Sequence, residues 1–183
     1  KAASWLFKQK GFSRTTLNDV ASRTGINKAT IFYYFPSKNH LLYEVLCGAM
    51  RKGIENVQSA CASSTSPREK LENAAKAHLR FSLDNLGGIS IFEQKNLLPG
   101  LRKSYIPLRD EYEQLFRNIV QEAMSAGQIK QGNVQLQTRL ILGLLNSASY
   151  WFKQSGPLTI EDVGNEVYKL ISSDKPPETS DDK

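Results

Sequence analysis

Between Lys28 and Tyr34 the chain places an ammonium, an aliphatic hydroxyl and two phenol hydroxyls: Lys28, Thr30, Tyr33 and Tyr34. An ordinary packing helix in a bundle would not crowd its outer face this way. Groups so closely spaced suit hydrogen bonding to a surface outside the chain's own core. A second set lies on the stretch from Pro67 to Leu86, where His78, Ser82 and Asn85 interrupt an apolar side carrying Leu71, Ala74, Ala75 and Phe81. Such a side fits a cavity that offers a ligand a few polar partners, though a buried histidine satisfied by a neighbouring helix is the plainer reading of His78 alone. Catalytic chemistry has little to work with. His40 and His78 are far apart, Cys47 and Cys61 lack metal-ligand spacing, and there is no HExxH, GxSxG, CxxC or phosphate-cradling glycine loop. An enzyme, which would need a site assembled from scattered residues, is the remote alternative.

Two helices and a tight turn must position the first set. Thr15 or Thr16 caps a helix carrying Leu17, Val20 and Ala21 at helical spacing, and Gly25 ends it in the left-handed conformation that glycine adopts without strain. Ile26 is expected to anchor the turn in the core, and Asn27 to cap a second helix whose Ile31 and Phe35 face inward. Pro36 stops that helix, and Ser37 caps the next. This is the pattern of a helix-turn-helix, whose second helix is narrow enough for the DNA major groove. Charge agrees. Residues 1–52 hold nine Lys or Arg against Asp19 and Glu44, a net +7, while the remainder nets −1 of the overall +6. A basic head on a near-neutral body is the footprint of a nucleic-acid-binding module. Docking on an anionic membrane would need an exposed apolar face, and those apolar positions belong to the three-helix core.

Ala2-Ala3, Leu6-Phe7, Gly11-Phe12, Thr15-Thr16, Val20-Ala21, Gly25-Ile26, Thr30, Tyr33-Tyr34-Phe35, Ser37-Lys38 and Leu41-Leu42 resemble the N-terminal DNA-binding domain of the TetR family of transcriptional regulators. One departure is Phe32, where the family commonly carries a tyrosine, so no hydroxyl is available there for a phosphate. The resemblance implies that Lys28, Ala29, Thr30 and Tyr33 lie near base edges and Thr16, Asn27, Tyr34 and Lys38 near phosphates. It also makes repression the commonest outcome. The body is similar to C-terminal domains of family members that answer acyl-CoA thioesters. That resemblance rests on Leu108 through Gly127-Gln128-Ile129, Leu142-Gly143-Leu144-Leu145-Asn146, Trp151-Phe152-Lys153 and Gly156-Pro157-Leu158.

The remaining elements follow in order. Lys1 to Lys10 reads as a first helix ended by Gly11, and a long helix from Ser37 joins head to body. Ser66-Pro67-Arg68-Glu69 reads as a capping box with proline at the first helical position. Gly87-Gly88 breaks the helix that follows. A short segment from Ile89 to Leu98 is ended by Pro99-Gly100. A helix containing Leu108, Tyr112, Phe116 and Ile119 then runs to Gly127. Asn133 caps a helix so apolar around its girth, from Leu136 to Phe152, that it needs burial on two sides, with Gly143, Ser147 and Ala148 small enough to admit a partner helix. Thr159 caps the last helix, with Asp162 in its first turn. The polar stretch from Asp174 reads as disordered.

The chain is thus expected to be all-α, with about nine helices. The expected divisions are a helix-turn-helix domain over 1–52, a ligand-binding and dimerisation domain over 53–173 and a tail over 174–183. Expected partners are a palindromic double-stranded operator, a second copy of the chain and a small apolar or amphipathic effector, with an acyl-CoA the most concrete candidate. The ligand-lining candidates are His78, Phe81, Ser82, Asn85, Phe92, Tyr112, Phe116, Asn146, Tyr150 and Trp151. No cofactor is implied. An architectural or activating DNA binder without an effector is the alternative. The two cysteines read as reduced thiols of a cytoplasmic protein, no stretch has the length of a membrane span, and a charged-then-apolar leader is absent. The chain starts at Lys1 without a methionine, which leaves open whether residues precede it, including any basic arm.

Overall fold

The computed structural model describes residues 1–84, 88 and 93–173. Within them the chain is all-α: eight α-helices and one 3-10 turn, with an isolated bridge between Ile129 and Ser172. Asn85, Phe92, the break at Gly87, residues 89–92 of the segment after it and the tail from 174 lie outside the described residues. No described helix is long and apolar enough to cross a membrane.

α1 (Ala2–Arg14) buries Ala3, Leu6 and Phe7. Gly11 interrupts it at φ 77°, the predicted stop, but one more turn reaches Arg14. Thr16, not Thr15, caps α2 (Leu17–Thr24). Thr15 is wholly buried, and its hydroxyl donates to the Gly11 carbonyl at 2.9 Å. Gly25, at φ 70°, turns the chain into α3 (Lys28–Tyr34). Ile26 does not anchor this turn. It is 45% exposed, because Val20, Ala21 and Ile31 already fill the core beneath it.

α4 (Lys38–Cys61), capped by Ser37, runs unbroken from the head into the body, packing on α1 near its start and on later helices beyond. α5 (Pro67–Leu83) begins as predicted with Ser66 accepting the Glu69 N–H and Pro67 in the first turn. The reciprocal half of the capping box is missing. Glu69 turns instead to Thr65, which offers both its N–H at 2.8 Å and its hydroxyl at 2.9 Å. After a 3-10 turn (Gln94–Asn96), α6 spans Pro99–Ser125. Pro99-Gly100 therefore starts a helix where a stop was the expectation, since proline at the first position has no useful N–H to lose. Pro107 lies inside α6, where it cannot donate to the carbonyl one turn back.

α7 (Val134–Trp151) is capped by Asn133, and α8 (Ile160–Ile171) by a full Thr159–Asp162 box. On α7 the residues Thr138, Ile141, Leu145 and Ala148 fall on one buried side. Ala148 was expected among the small residues admitting a partner helix. It shares the side of Ile141 and Leu145 and is wholly buried in its own chain. The opposite side carries Leu136, Leu140, Leu144 and Trp151, each 43–59% exposed, and Gly143, above which a Cβ would meet nothing within 4 Å. Leu170 of α8 is likewise exposed.

Candidate nucleic-acid interface and cavity

α3 has seven residues, too few to hold a helix by itself, and its ends hold it. Asn27 Oδ1 accepts the Ala29 N–H at 2.8 Å, and Ile31 is the buried residue that fixes which side faces in. The outward side follows. Lys28, Ala29, Thr30, Tyr33 and Tyr34 are exposed, Tyr33 by 82%. The two tyrosine rings meet edge to face at 5.3 Å. Phe32 is half exposed beside them. A cation in a first turn opposes the helix dipole by about 0.3–1 kcal/mol, so Lys28 is not placed there by the stability of α3.

The residues matched to phosphates divide. Thr16 is exposed at the start of α2; its N–H donates to Asp19 at 2.8 Å, and its hydroxyl accepts the Asp19 N–H at 3.1 Å. That backbone hydrogen bond, aided by the hydroxyl and by Lys10 at 3.3 Å, holds the Asp19 carboxyl below its ordinary range. Lys38 behaves differently from the others. Its ammonium donates to the carbonyls of Phe12 at 2.8 Å and Ser13 at 3.0 Å, over the Phe12 ring, and so ties the start of α4 to the end of α1.

In the body, α4, the 3-10 turn, α5, α6 and α7 line a cavity of about 190 Å³ that opens to solvent on one side. It brings together His78, Phe81, Ser82, Tyr112 and Asn146 from the sequence-predicted set. The tyrosine hydroxyl lies 2.8 Å from His78 Nδ1, and Asn146 Oδ1 lies 3.0 Å from His78 Nε2. An amide oxygen only accepts, so Nε2 carries the proton, Nδ1 accepts, and Tyr112 donates. Burial pushes His78 down to about 4, against the opposing hydrogen bond from Asn146, and pushes the Tyr112 phenol up. The relay is therefore neutral. Ser82 Oγ donates to the Leu79 carbonyl at 3.1 Å within its own helix.

Other predicted lining residues stand elsewhere. Phe116 is wholly buried behind the wall, its ring edge-on to His78 at 5.5 Å. Tyr150 and Trp151 lie on the exposed side of α7, so they belong to its apolar stripe and not to the cavity. Spacing had placed them on the same helix as Asn146 without fixing which side turned inward.

Several residues carry weight that sequence reasoning missed. Met50, Gln94, Tyr105, Arg109, Glu113 and Leu142 complete the cavity wall. Gly53 of α4 admits the rings of Phe81 and Tyr112, since a Cβ there would stand 3.0 and 3.2 Å from them. Beside Gln94 a clasp ties body to head. Asn39, in the first turn of α4, accepts the Leu98 N–H at 2.8 Å and donates to the Asn96 carbonyl at 3.3 Å. Glu93 accepts the Phe12 N–H at 3.3 Å. Only Gly53, a glycine inside an apolar helix, carried a local signal.

Residues 1–45 match the family described as bacterial regulatory proteins, tetR family, and residues 64–173 match the tetracyclin repressor-like C-terminal domain. The HTH-type transcriptional repressor KstR2 of Mycolicibacterium smegmatis is 26% identical over 173 residues, 92% of this chain and 84% of that protein. The crystal structure of PfmR, a TetR family transcriptional regulator from Thermus thermophilus, superposes with a TM-score of 0.80 at 30% identity, covering 92% of this chain and 93% of that one. AibR, solved in complex with isovaleryl coenzyme A and operator DNA, shares the fold at a TM-score of 0.83 and 20% identity, covering 93% and 94%.

Proposed function

The chain belongs to the TetR family of transcriptional regulators, which bind operator DNA as dimers and respond to small molecules, and from that membership we propose a repressor released from a palindromic operator when an acyl-CoA or a similar amphipathic molecule enters the body cavity. The observation that carries this reading is the shared wall. Met50 lines the cavity, Gly53 takes the rings of Phe81 and Tyr112, and both residues belong to α4, the helix that begins beneath the DNA-reading head. A ligand that displaces those rings pushes on α4 directly. Because a ligand shifts an equilibrium only through unequal affinity for its two states, an effector must fit the cavity better with α4 tilted than with α4 seated for DNA.

In this reading Lys28, Ala29, Thr30 and Tyr33 contact base edges, while Thr16, Asn27 and Tyr34 contact phosphates. Lys38 holds α4 against α1 and contributes to DNA binding through that geometry. Two copies associate through the stripe of Leu136, Leu140, Leu144 and Trp151 on α7 and Leu170 on α8, apolar surface that one chain leaves uncovered. The neighbour that holds isovaleryl coenzyme A and operator DNA on the same fold supports both partners.

Titrating an operator complex with acyl-CoAs of graded chain length, beside free acids and unrelated apolar compounds, tests the proposal. Release by acyl-CoAs, matched by an equal loss of acyl-CoA affinity when operator is added, is the expected result. Operator binding that no compound perturbs would leave a DNA-binding protein without an effector.

A further inference from the structure

We infer that the inner end of the cavity selects a neutral carbonyl, as in an ester, thioester or ketone, over a carboxylate, and that the Asn146 amide makes the selection. The inference rests on the effector reading above and adds the group that the effector must carry.

The polar atoms of the wall are almost all committed. His78 uses both ring nitrogens, Tyr112 gives its proton to one of them, and Ser82 donates to its own helix. The Glu113 carboxylate takes Arg117 at 2.9 Å and Arg139 at 3.2 Å. Two amides are the exceptions: Gln94, whose side chain makes no hydrogen bond among the described residues, and Asn146, which stands against the relay. The Asn146 oxygen is held by His78 Nε2–H, which turns Nδ2 away from the ring, and among the described residues Nδ2 makes no hydrogen bond. An amide nitrogen is donor only, so it can satisfy a ligand oxygen.

Charge then decides which oxygen. His78, Tyr112 and Asn146 are all neutral in the relay, and His78, at 4% exposure, is too deeply buried to gain a proton near neutrality. A carboxylate beside them would be desolvated without a counter-ion, whereas a carbonyl loses little water and regains a hydrogen bond. The nearest wall cation, Arg109, has a side chain 43% exposed and is paired with Asp110 at 2.8 Å, so it sits toward solvent. A ligand with its carbonyl inward and its anionic end outward satisfies both ends. The cavity is smaller than the roughly 300–1,000 Å³ usual for small-molecule sites, so a short acyl group suits it.

The test compares butyryl-CoA, the thioether S-butyl-CoA, which lacks the carbonyl oxygen, and free butyrate, measured by calorimetry on the intact chain and on Asn146→Asp. The aspartate still accepts from His78 Nε2–H but has no amide protons. The wild-type chain is expected to bind the thioester at least tenfold more tightly than the thioether and butyrate, and Asn146→Asp to bind thioester and thioether within about twofold of each other. Wild-type affinities for thioester and thioether within twofold, or full discrimination surviving in Asn146→Asp, would overturn the carbonyl assignment and leave the effector reading intact. Binding of no CoA derivative to the wild-type chain would overturn both.

Discussion

The head and the body use polar side chains in opposite senses. In the head, most polar groups named so far cap helices a few residues away, as Thr16, Asn27 and Ser37 do, or stand outward, as Lys28, Thr30 and Tyr33 do. In the body the chemistry turns inward, and Tyr112, His78 and Asn146 satisfy one another across three helices. Outward groups cost the fold little and wait for an external surface. Inward ones must be paired in advance, because a buried polar atom without a partner costs about 1–3 kcal/mol. The head should therefore tolerate loss of its reading residues without loss of stability, whereas the body should register any change in its relay as a change in folding.

The pH dependence of stability offers the largest test of that contrast. In the folded chain His78 is held near 4, below its ordinary 6.5. Between those values the unfolded chain binds a proton that the folded chain refuses, so stability is complete above about pH 6.5 and falls as pH drops toward 4. The loss amounts to on the order of 3 kcal/mol from this one group. Chemical denaturation from pH 7 to pH 4.5 should show the decline, and His78→Gln should flatten it even if that variant is less stable at pH 7. An unchanged slope in His78→Gln would place the acid sensitivity elsewhere and undo the claim that the relay is where the body stores its polar cost.

The head should respond in the other sense. Lys28→Ala is expected to weaken the preferred operator by about 1–3 kcal/mol and to relax its sequence preference, while the melting temperature stays put. Tyr34→Phe should lower affinity for specific and random DNA alike. Gel-shift titrations on both DNAs, with a thermal melt of each variant, separate the outcomes. A Lys28→Ala chain that melts early would mean that the recognition helix is also structural, and the contrast between the regions would fail.

The same contrast explains what could be read in advance. Caps and turns in the head are local: Thr16 to Asp19, Asn27 to Ala29 and Ser37 to His40 each span two or three residues, so residue type and spacing sufficed. Ile26 escaped because whether a turn residue points inward depends on how full the core already is. In the body His78 meets Tyr112 across 34 residues and Asn146 across 68, distances at which spacing says nothing about who meets whom. Hence His78, Ser82 and Phe81 can be picked from their helix side, while the outward position of Tyr150 and Trp151 depends on which side of α7 packs inward, which spacing does not report. Lys38 shows the remaining difficulty. A lysine beside a DNA-reading helix reads as a phosphate contact, and only the position of the Phe12 and Ser13 carbonyls reveals the other use.

Where the regions meet, a small effect on stability should accompany a selective effect on control. The clasp at Asn39 joins the first turn of α4 to Asn96 and Leu98, and Gln94 of the same short stretch lines the cavity. Under the proposed effector reading, ligand entry would have a second path to the head besides α4, through the segment that Asn39 grips. Asn39→Ala removes both hydrogen bonds from a partly exposed site and should cost about 1 kcal/mol, near 2–4 °C in melting temperature. Operator affinity without effector should change by less than about threefold, because no DNA-facing group is touched. The ratio of operator affinities without and with a saturating acyl-CoA should shrink, since one of the connections that make the cavity and the head interdependent is gone. Asn39→Asp keeps the acceptor for the Leu98 N–H and loses the donor to the Asn96 carbonyl, so its ratio should fall between the two. If Asn39→Ala keeps the full wild-type ratio, the signal does not pass through the Asn39 side chain, and its two hydrogen bonds merely fasten the head in place.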